Sequence, residues 1–226
     1  MRFIFSMLIL SASFLAGAQE AQKPLSVIFL DIDGVLIGAR DLDPLSTQIR
    51  QKLVELFGLK EEPYRGYTEL QWRIAASHFL DECAVKNLEK LIQRVSETFS
   101  VAIVLSSAWR LDGTVDEIKN QMFTGASFTP FIIDKTPDED WWRRRNGEEE
   151  VSPIALEKYG FALRTRGSEI NYWLLENREK WNIQNFVVLD DVDYGISERY
   201  PDHFVEVCRM LSEEDVEKAY DILTRP

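Results

Sequence analysis

Cysteine is scarce in this sequence, and low-complexity tracts are absent. The two cysteines, Cys83 and Cys208, form neither a metal-binding spacing nor a disulfide framework. They could pair in an oxidising compartment, but we favour two buried, unpaired thiols. Because aromatic residues make up 12% of the chain and no tract is of low complexity, disorder is not expected. The 226 residues therefore predict one globular domain with a substantial core.

Basic residues are also in the minority. Lysine and arginine together number 26, against 38 aspartates and glutamates, so the formal net charge at pH 7 is −12. Such an acidic surface repels polyanions at long range. We therefore expect that the chain does not bind long nucleic acids.

An apolar run opens the chain. Arg2 precedes the apolar residues 3–10, and small residues follow up to Ala18. A charged start, a short apolar stretch and an A-x-A site are typical of a secretory signal peptide. We expect cleavage after Ala18, a secreted or periplasmic protein, and no membrane span in the mature chain, because the run is short for a span. An uncleaved anchor or a buried first strand is the alternative.

The most informative stretch is the apolar run 27–30, which ends at two carboxylates, Asp31 and Asp33. A strand that is apolar at every position is buried on both faces, as in the centre of a parallel α/β sheet. Ligands of such sheets bind at the carboxyl ends of the strands. Two acids there, with Gly34 allowing the chain to turn away, indicate a site for a hard cation such as Mg²⁺. The alternative is a pair of ordinary turn or cap residues.

Two later strands end in a similar way. The apolar run 101–105 is followed by Ser106 and Ser107, whose donors suit a phosphate oxygen, although serines after a strand are often only helix caps. The run 185–189 ends at Asp190 and Asp191. One strand ending in acids is unremarkable, but two such strands with a hydroxyl-ended strand between them in sequence indicate a functional site.

The remaining elements follow from helical spacing, caps and apolar runs. Helices are expected over 44–57 with Asp43 as N-cap, over 68–76, 81–99 and 112–122, after 164–170 and after Ser212, and further strands over 129–134 and 203–207.

Two basic segments have more than one interpretation. Arg164 and Arg166 precede a helix, where positive charge opposes the helix dipole, so another role is expected for them. Residues 138–150 contain Trp141 and Trp142, then three arginines and three glutamates. This segment is either a solvated loop or a clamp for an anionic or aromatic substrate.

Taken together, these motifs resemble the four motifs of the haloacid dehalogenase-like (HAD) superfamily. More closely, the chain is similar to the HAD-type domains associated with Swiss Army Knife RNA repair proteins, over about residues 27–223. The motifs that carry the likeness are 31–36, 87–92, 106–110, 166–174 and 188–191.

The resemblance implies a fold, a domain organisation and an activity. The fold is a Rossmann-like, HAD-type α/β/α sandwich of three layers, with a mainly parallel central sheet and a small cap or none. A single domain is expected over 19–226, with an inserted loop at 138–160. The implied activity is that of a Mg²⁺-dependent phosphomonoester hydrolase.

The resemblance also assigns roles to the acids. Asp31 would attack phosphorus and form an aspartyl-phosphate. Asp33 would protonate the leaving group and then activate water. Mg²⁺ would be bound by Asp31, the main-chain carbonyl of Asp33 and Asp190, with Asp191 helping directly or through water.

The remaining implied roles concern the phosphate. Ser106 would bind a phosphoryl oxygen, with Ser107 as the alternative. Arg166 would neutralise the phosphate. The superfamily usually has lysine there, and arginine offers bidentate contact but no tunable pKa. If Arg166 is misplaced, Arg164 or Lys158 would replace it.

Trp109 and Arg110 follow the serines directly. Arg110 would line the entrance of the phosphate site. Trp109 would either line it too or simply pack in the core.

Two other functions remain open on the sequence. One is a phosphotransferase on the same residues, and the other is a non-catalytic binding or effector domain. The intact set of acids argues against the second, because a non-catalytic descendant has no need of Asp33. The expected substrate is a small phosphorylated molecule or a nucleic-acid end.

Overall fold

The computed structural model describes residues 23–38, 43–58, 68–137 and 165–225. Several predictions concern residues outside these ranges, and they stay predictions: the signal peptide, the inserted loop at 138–160, the absence of a large cap, and the roles of Arg164, Lys158 and the Trp141–Trp142 segment.

A five-stranded sheet forms the centre of the fold. Its strand order is β3-β2-β1-β4-β5, and every pairing is parallel. The carboxyl ends of all five strands therefore lie at one edge of the sheet. The strands are β1 (Leu25–Leu30), β2 (Ser100–Leu105), β3 (Ile132–Lys135), β4 (Ile183–Asp190) and β5 (Phe204–Glu206).

Helices cover both faces of this sheet. Successive residues of β1 point to opposite faces: Ile28 and Leu30 join the larger core cluster, whereas Val27 and Phe29 join the smaller one. The helices are α1 (Asp43–Phe57), α2 (Glu69–Ala76), α3 (Glu82–Ser96), α4 (Val115–Met122), α5 (Arg166–Asn177), α6 (Ile196–Arg199) and α7 (Glu213–Leu223).

The helices divide between the two clusters. Helix α3 contributes Leu88 and Leu91 to the larger cluster, and α7 also packs there. Helix α5 contributes Ile170 and Trp173 to the smaller cluster, where Trp173 meets the edge of Phe29 with ring centroids 5.4 Å apart. The result is three layers, which confirms the predicted Rossmann-like α/β fold.

Several element boundaries differ from the predictions, and local structure explains two of these differences. Helix α4 begins at Val115 rather than at 112, because Thr114 caps it and Ala108–Asp112 forms a 3₁₀ turn. Strand β3 begins at Ile132 rather than at 129, because Pro130 lies in a 3₁₀ turn. Ser212 caps α7 as expected.

The prediction of buried thiols is wrong. Cys83 and Cys208 are both free and exposed. Cys83 lies one residue before Ala84, which starts the buried stripe of α3, so its side chain falls outside that stripe. Val205 in β5 and Val207 just after it are buried, and the alternation places Cys208 outward. Among the described helices, none is both long enough and apolar enough to cross a membrane.

Candidate active site

The parallel register brings the predicted site residues together. The end of β1 is in register with the ends of β2 and β4, its two neighbours in the sheet. The pairing continues one residue further on both sides. The Ser106 N–H donates to the Leu30 carbonyl at 3.0 Å, and the Asp31 N–H donates to the Leu189 carbonyl at 2.9 Å. Asp31 therefore lies between Ser106 on one side and Asp190 on the other.

Three carboxylates converge at this point. Asp31, Asp190 and Asp191 each offer an oxygen, and these oxygens all lie within 4.8 Å of one another. The first two are buried, and Asp191 is half-buried. Carboxylate oxygens are the ligands that hard divalent cations prefer. The donor set therefore fits a cation such as Mg²⁺.

Gly34 allows the third carboxylate to approach. Its backbone has φ +79°, and a Cβ built on it would overlap the Asp191 carboxylate. Only glycine has both the conformational freedom and the missing side chain that this position needs. The turn after β1 is thus shaped around an acid of the neighbouring loop.

Arg166 places a positive charge against these acids. It is the first residue of α5, and Thr165 caps that helix. Its Nη1 lies 2.9 Å from Asp31 Oδ1 and 2.7 Å from Asp190 Oδ2. One guanidinium nitrogen therefore bridges Asp31, which follows β1, and Asp190, which ends the adjacent strand β4.

Within the described part of the chain, the charge of Arg166 does not fully offset the three acids. Burial raises the pKa of Asp190 to about 7, and repulsion from Asp31 adds to this, although the Arg166 charge and the Val192 N–H lower it. Burial and the Asp31 charge also raise the pKa of Asp191. This unbalanced negative charge is a second reason why a cation fits the site.

Asp33 points elsewhere. Its Oδ2 accepts a hydrogen bond from the Trp109 indole Nε1 at 3.0 Å. Among the described residues, the cluster of potential metal-binding carboxylates does not include it. The predicted metal contact of Asp33 was through its main-chain carbonyl, so this direction of the side chain is consistent with that prediction.

The two serines differ in their surroundings. The Ser107 hydroxyl accepts from the Trp109 N–H at 3.3 Å and caps the 3₁₀ turn. Ser106 is wholly buried, and among the described residues its Oγ has no hydrogen-bond partner. A buried polar atom without a partner costs about 1–3 kcal/mol, so it suggests a ligand oxygen. Of the two alternatives, the geometry therefore favours Ser106.

Arg110 is more deeply held than predicted. Its guanidinium donates to Glu169 at 2.7 Å and to the Ser107 carbonyl at 2.8 Å, and it is 5% exposed. It nevertheless lines a cavity of about 200 Å³ with Arg166, Glu169, Thr165 and Tyr194. Arg110 therefore stabilises the main chain at Ser107, and it forms part of the wall of the site.

Sequence reasoning missed Glu169 and Tyr194 in this neighbourhood, as well as the partner of Trp109. Trp109 was left between packing and lining, and the bond to Asp33 had no sequence signal. Glu169 had the signal of an acid in the first turn of a helix that follows two arginines. Tyr194 is half-exposed, its ring centroid lies 5.2 Å from the Arg166 Cζ, and only its position after two aspartates pointed to it.

Comparisons with known proteins agree with this geometry. A family model described as the HAD domain in Swiss Army Knife RNA repair proteins matches residues 27–216. No curated protein and no solved structure matches the chain. The matched stretch contains every described residue named in this site.

Gly34→Ala tests the close approach of the two loops. We expect the free energy of unfolding to fall by about 2–5 kcal/mol, because a left-handed alanine costs about 1–2 kcal/mol and displacing the Asp191 carboxylate adds about 1–3 kcal/mol. Urea denaturation measures the loss.

Gly125→Ala is the matched control. Gly125 has φ +83°, and a Cβ there would meet no atom of the described residues within 4 Å, so the conformational cost is what remains. Equal losses in the two variants would contradict the contact between Gly34 and Asp191.

Proposed function

The chain belongs to the family of HAD domains found in Swiss Army Knife RNA repair proteins, and we propose that it is a Mg²⁺-dependent phosphomonoester hydrolase. Family membership by itself indicates a hydrolase of the HAD type. One observation supports the finer proposal: three clustered carboxylates meet Arg166 beside a buried hydroxyl that has no hydrogen-bond partner in the described part of the chain. The acids suit a cation, while Arg166 and Ser106 suit the anionic group of a substrate.

In this proposal, Asp31, Asp190 and Asp191 bind the metal, together with the main-chain carbonyl of Asp33. When bound, Mg²⁺ would offset the negative charge of the phosphate oxygens. Side chains of the protein carry out the nucleophilic attack and the proton transfers.

Asp31 is the proposed nucleophile. It follows the central strand β1, and its ion pair with Arg166 orients its carboxylate. A carboxylate oxygen of Asp31 bonds to phosphorus while the bond from phosphorus to the ester oxygen breaks. Asp33 gives a proton to that leaving oxygen. Water then attacks phosphorus, Asp33 takes the proton of the water, and the aspartyl bond breaks to release phosphate.

Ser106 and Arg166 bind the transferred group. The Ser106 hydroxyl donates to one phosphoryl oxygen, which provides a partner that its buried Oγ does not find among the described residues. Arg166 shields Asp31 from the negative charge of the phosphate, because its guanidinium lies against that carboxylate. The substrate in this proposal is a small phosphorylated molecule or the phosphorylated end of a nucleic acid.

Two rival functions lead to different measurements. A phosphotransferase would use the same residues, and an alcohol acceptor would then outcompete water for the phosphoryl group. A binding or effector domain would release no phosphate from any ester. Release of phosphate from an aryl phosphate, with and without EDTA and with added alcohol, separates the three.

Asp31→Asn should leave a folded protein whose kcat is at least about 10³-fold lower, because an amide neither attacks phosphorus nor binds Mg²⁺ as a carboxylate does. Phosphate release from an aryl phosphate is the measurement. Asp116→Asn, a change of an exposed acid on α4, is the control and should keep full activity. Near wild-type activity in Asp31→Asn with Mg²⁺ present would falsify the nucleophile.

Asp33→Asn should lower kcat/KM by about 10²–10⁴-fold and leave Mg²⁺ affinity largely intact, because only a main-chain atom of Asp33 binds the metal in this proposal. Calorimetric titration with Mg²⁺ compares it with Asp190→Asn, which removes a carboxylate ligand. Equal loss of affinity in the two variants would show that the role assigned to the Asp33 side chain is wrong.

Arg166→Ala should lower kcat/KM by at least about 10–100-fold, since a charge-assisted contact contributes about 1.5–3 kcal/mol. Arg166→Lys should keep part of the activity, because a single nitrogen of Arg166 makes both carboxylate contacts. Inhibition by vanadate should weaken in parallel.

Arg164→Ala is the comparison for that series. A defect confined to Arg164→Ala would move the phosphate-binding role two residues upstream. No defect in either alanine variant would direct the search to Lys158 or to the arginines after Trp142.

A further inference from the structure

Trp109 donates a side-chain hydrogen bond to an acid of the site. Its side chain is 0% exposed, and its ring stacks on Phe123 with centroids 5.8 Å apart and an interplanar angle of 9°. The indole N–H donates to Asp33 Oδ2 at 3.0 Å. A large aromatic residue in the core thus connects the packing of the fold to a carboxylate beside the nucleophile.

We propose that Trp109 is a positioning residue that orients the Asp33 carboxyl for proton transfer. This inference rests on the proposed function, in which Asp33 is the general acid and then the general base. Trp109 touches neither substrate nor metal in this proposal and acts through Asp33 alone.

The indole N–H can donate a hydrogen bond but cannot accept one. It therefore favours the form of Asp33 in which Oδ2 carries no proton. The proton that Asp33 transfers is then on Oδ1. It passes from Oδ1 to the leaving oxygen as the ester bond breaks, and water later returns a proton to the same atom. One fixed donor thus serves both half-reactions.

The surroundings of Trp109 explain why it can hold Asp33 still. Its main-chain N–H, as distinct from the indole N–H, donates to the Ser107 hydroxyl, and the ring partner Phe123 itself packs on Phe128 with centroids 5.4 Å apart. Asp33 is half-buried in the turn after β1, and the rigidly packed indole fixes the direction of the hydrogen bond to its Oδ2. Proton transfer depends on placement of the carboxyl, and a misplacement of about 1 Å can lower a rate by about 10²-fold.

Trp173 provides an internal comparison. It is also buried, and its indole N–H donates to Asp134 Oδ2 at 2.7 Å. That pair joins α5 to β3, in the smaller core cluster, and no step of the proposed reaction uses it. The same substitution at the two tryptophans therefore separates loss of a buried bond from loss of orientation at Asp33.

The experiment compares two esters in Trp109→Phe and Trp173→Phe. The leaving oxygen of an alkyl phosphate needs a proton from a general acid. The leaving group of 4-nitrophenyl phosphate is a stable phenolate, which needs little protonation. The value of kcat/KM covers only the steps up to departure of the leaving group, so the later base step does not affect it. Trp109→Phe should lower kcat/KM for the alkyl phosphate by about 10–100-fold and for the aryl phosphate by less than about threefold. Trp173→Phe should not change the ratio of the two values.

Replacement of Trp109 by β-(3-benzothienyl)alanine keeps the shape of the side chain and removes only the N–H. It should reproduce the selective loss even where Trp109→Phe perturbs folding. Equal losses on both esters in this variant, or no loss on either, would overturn the inference while leaving the proposed hydrolase intact. A wild-type protein that is inactive on both esters with Mg²⁺ would overturn the proposed function and this inference together.

Discussion

Repulsion among buried carboxylates is the constraint on which this site depends. Asp31, Asp190 and Asp191 have oxygens within 4.8 Å of one another, and two of the three are buried. Like charges about 4 Å apart cost about 4 kcal/mol per pair in partly buried surroundings. Arg166 offsets part of this cost, but the pKa of Asp190 still rises to about 7 because burial and Asp31 both oppose its charge. The fold therefore keeps the acids together against their own repulsion.

The sheet supplies the rigidity for this. β1 is buried at every position and pairs in parallel with β2 and β4, so the ends of these three strands cannot separate without breaking the core. Hydrogen bonds from Ser106 and Asp31 extend the pairing one residue past the strands. Acids that would repel one another on a mobile loop are held in place by main-chain bonds and apolar packing.

The sequence predicted the features that depend on hydrophobic periodicity and on where a residue lies along a strand. Apolar runs identified β1, β2 and β4, and in a parallel sheet their ends must meet, so Asp31, Ser106 and Asp190 could be placed together. Side-chain partners could not be predicted, because periodicity says which face a residue occupies and not what it touches. This is why the bonds of Trp109 and Arg110 were missed. The cysteines were misplaced by a general preference that the local pattern of α3 and β5 overrides.

Close approaches of the main chain complete the assembly. A Cβ on Gly34 would overlap Asp191, and a Cβ on Gly167 would overlap the Gly195 carbonyl. The loop after β4 is therefore in contact with both the turn after β1 and the first turn of α5, which carries Arg166. Because the two contacts lie at either end of one short loop, displacing that loop would move an acid and the opposing cation together. The balance of charge at the site thus depends on two positions that carry no charge themselves.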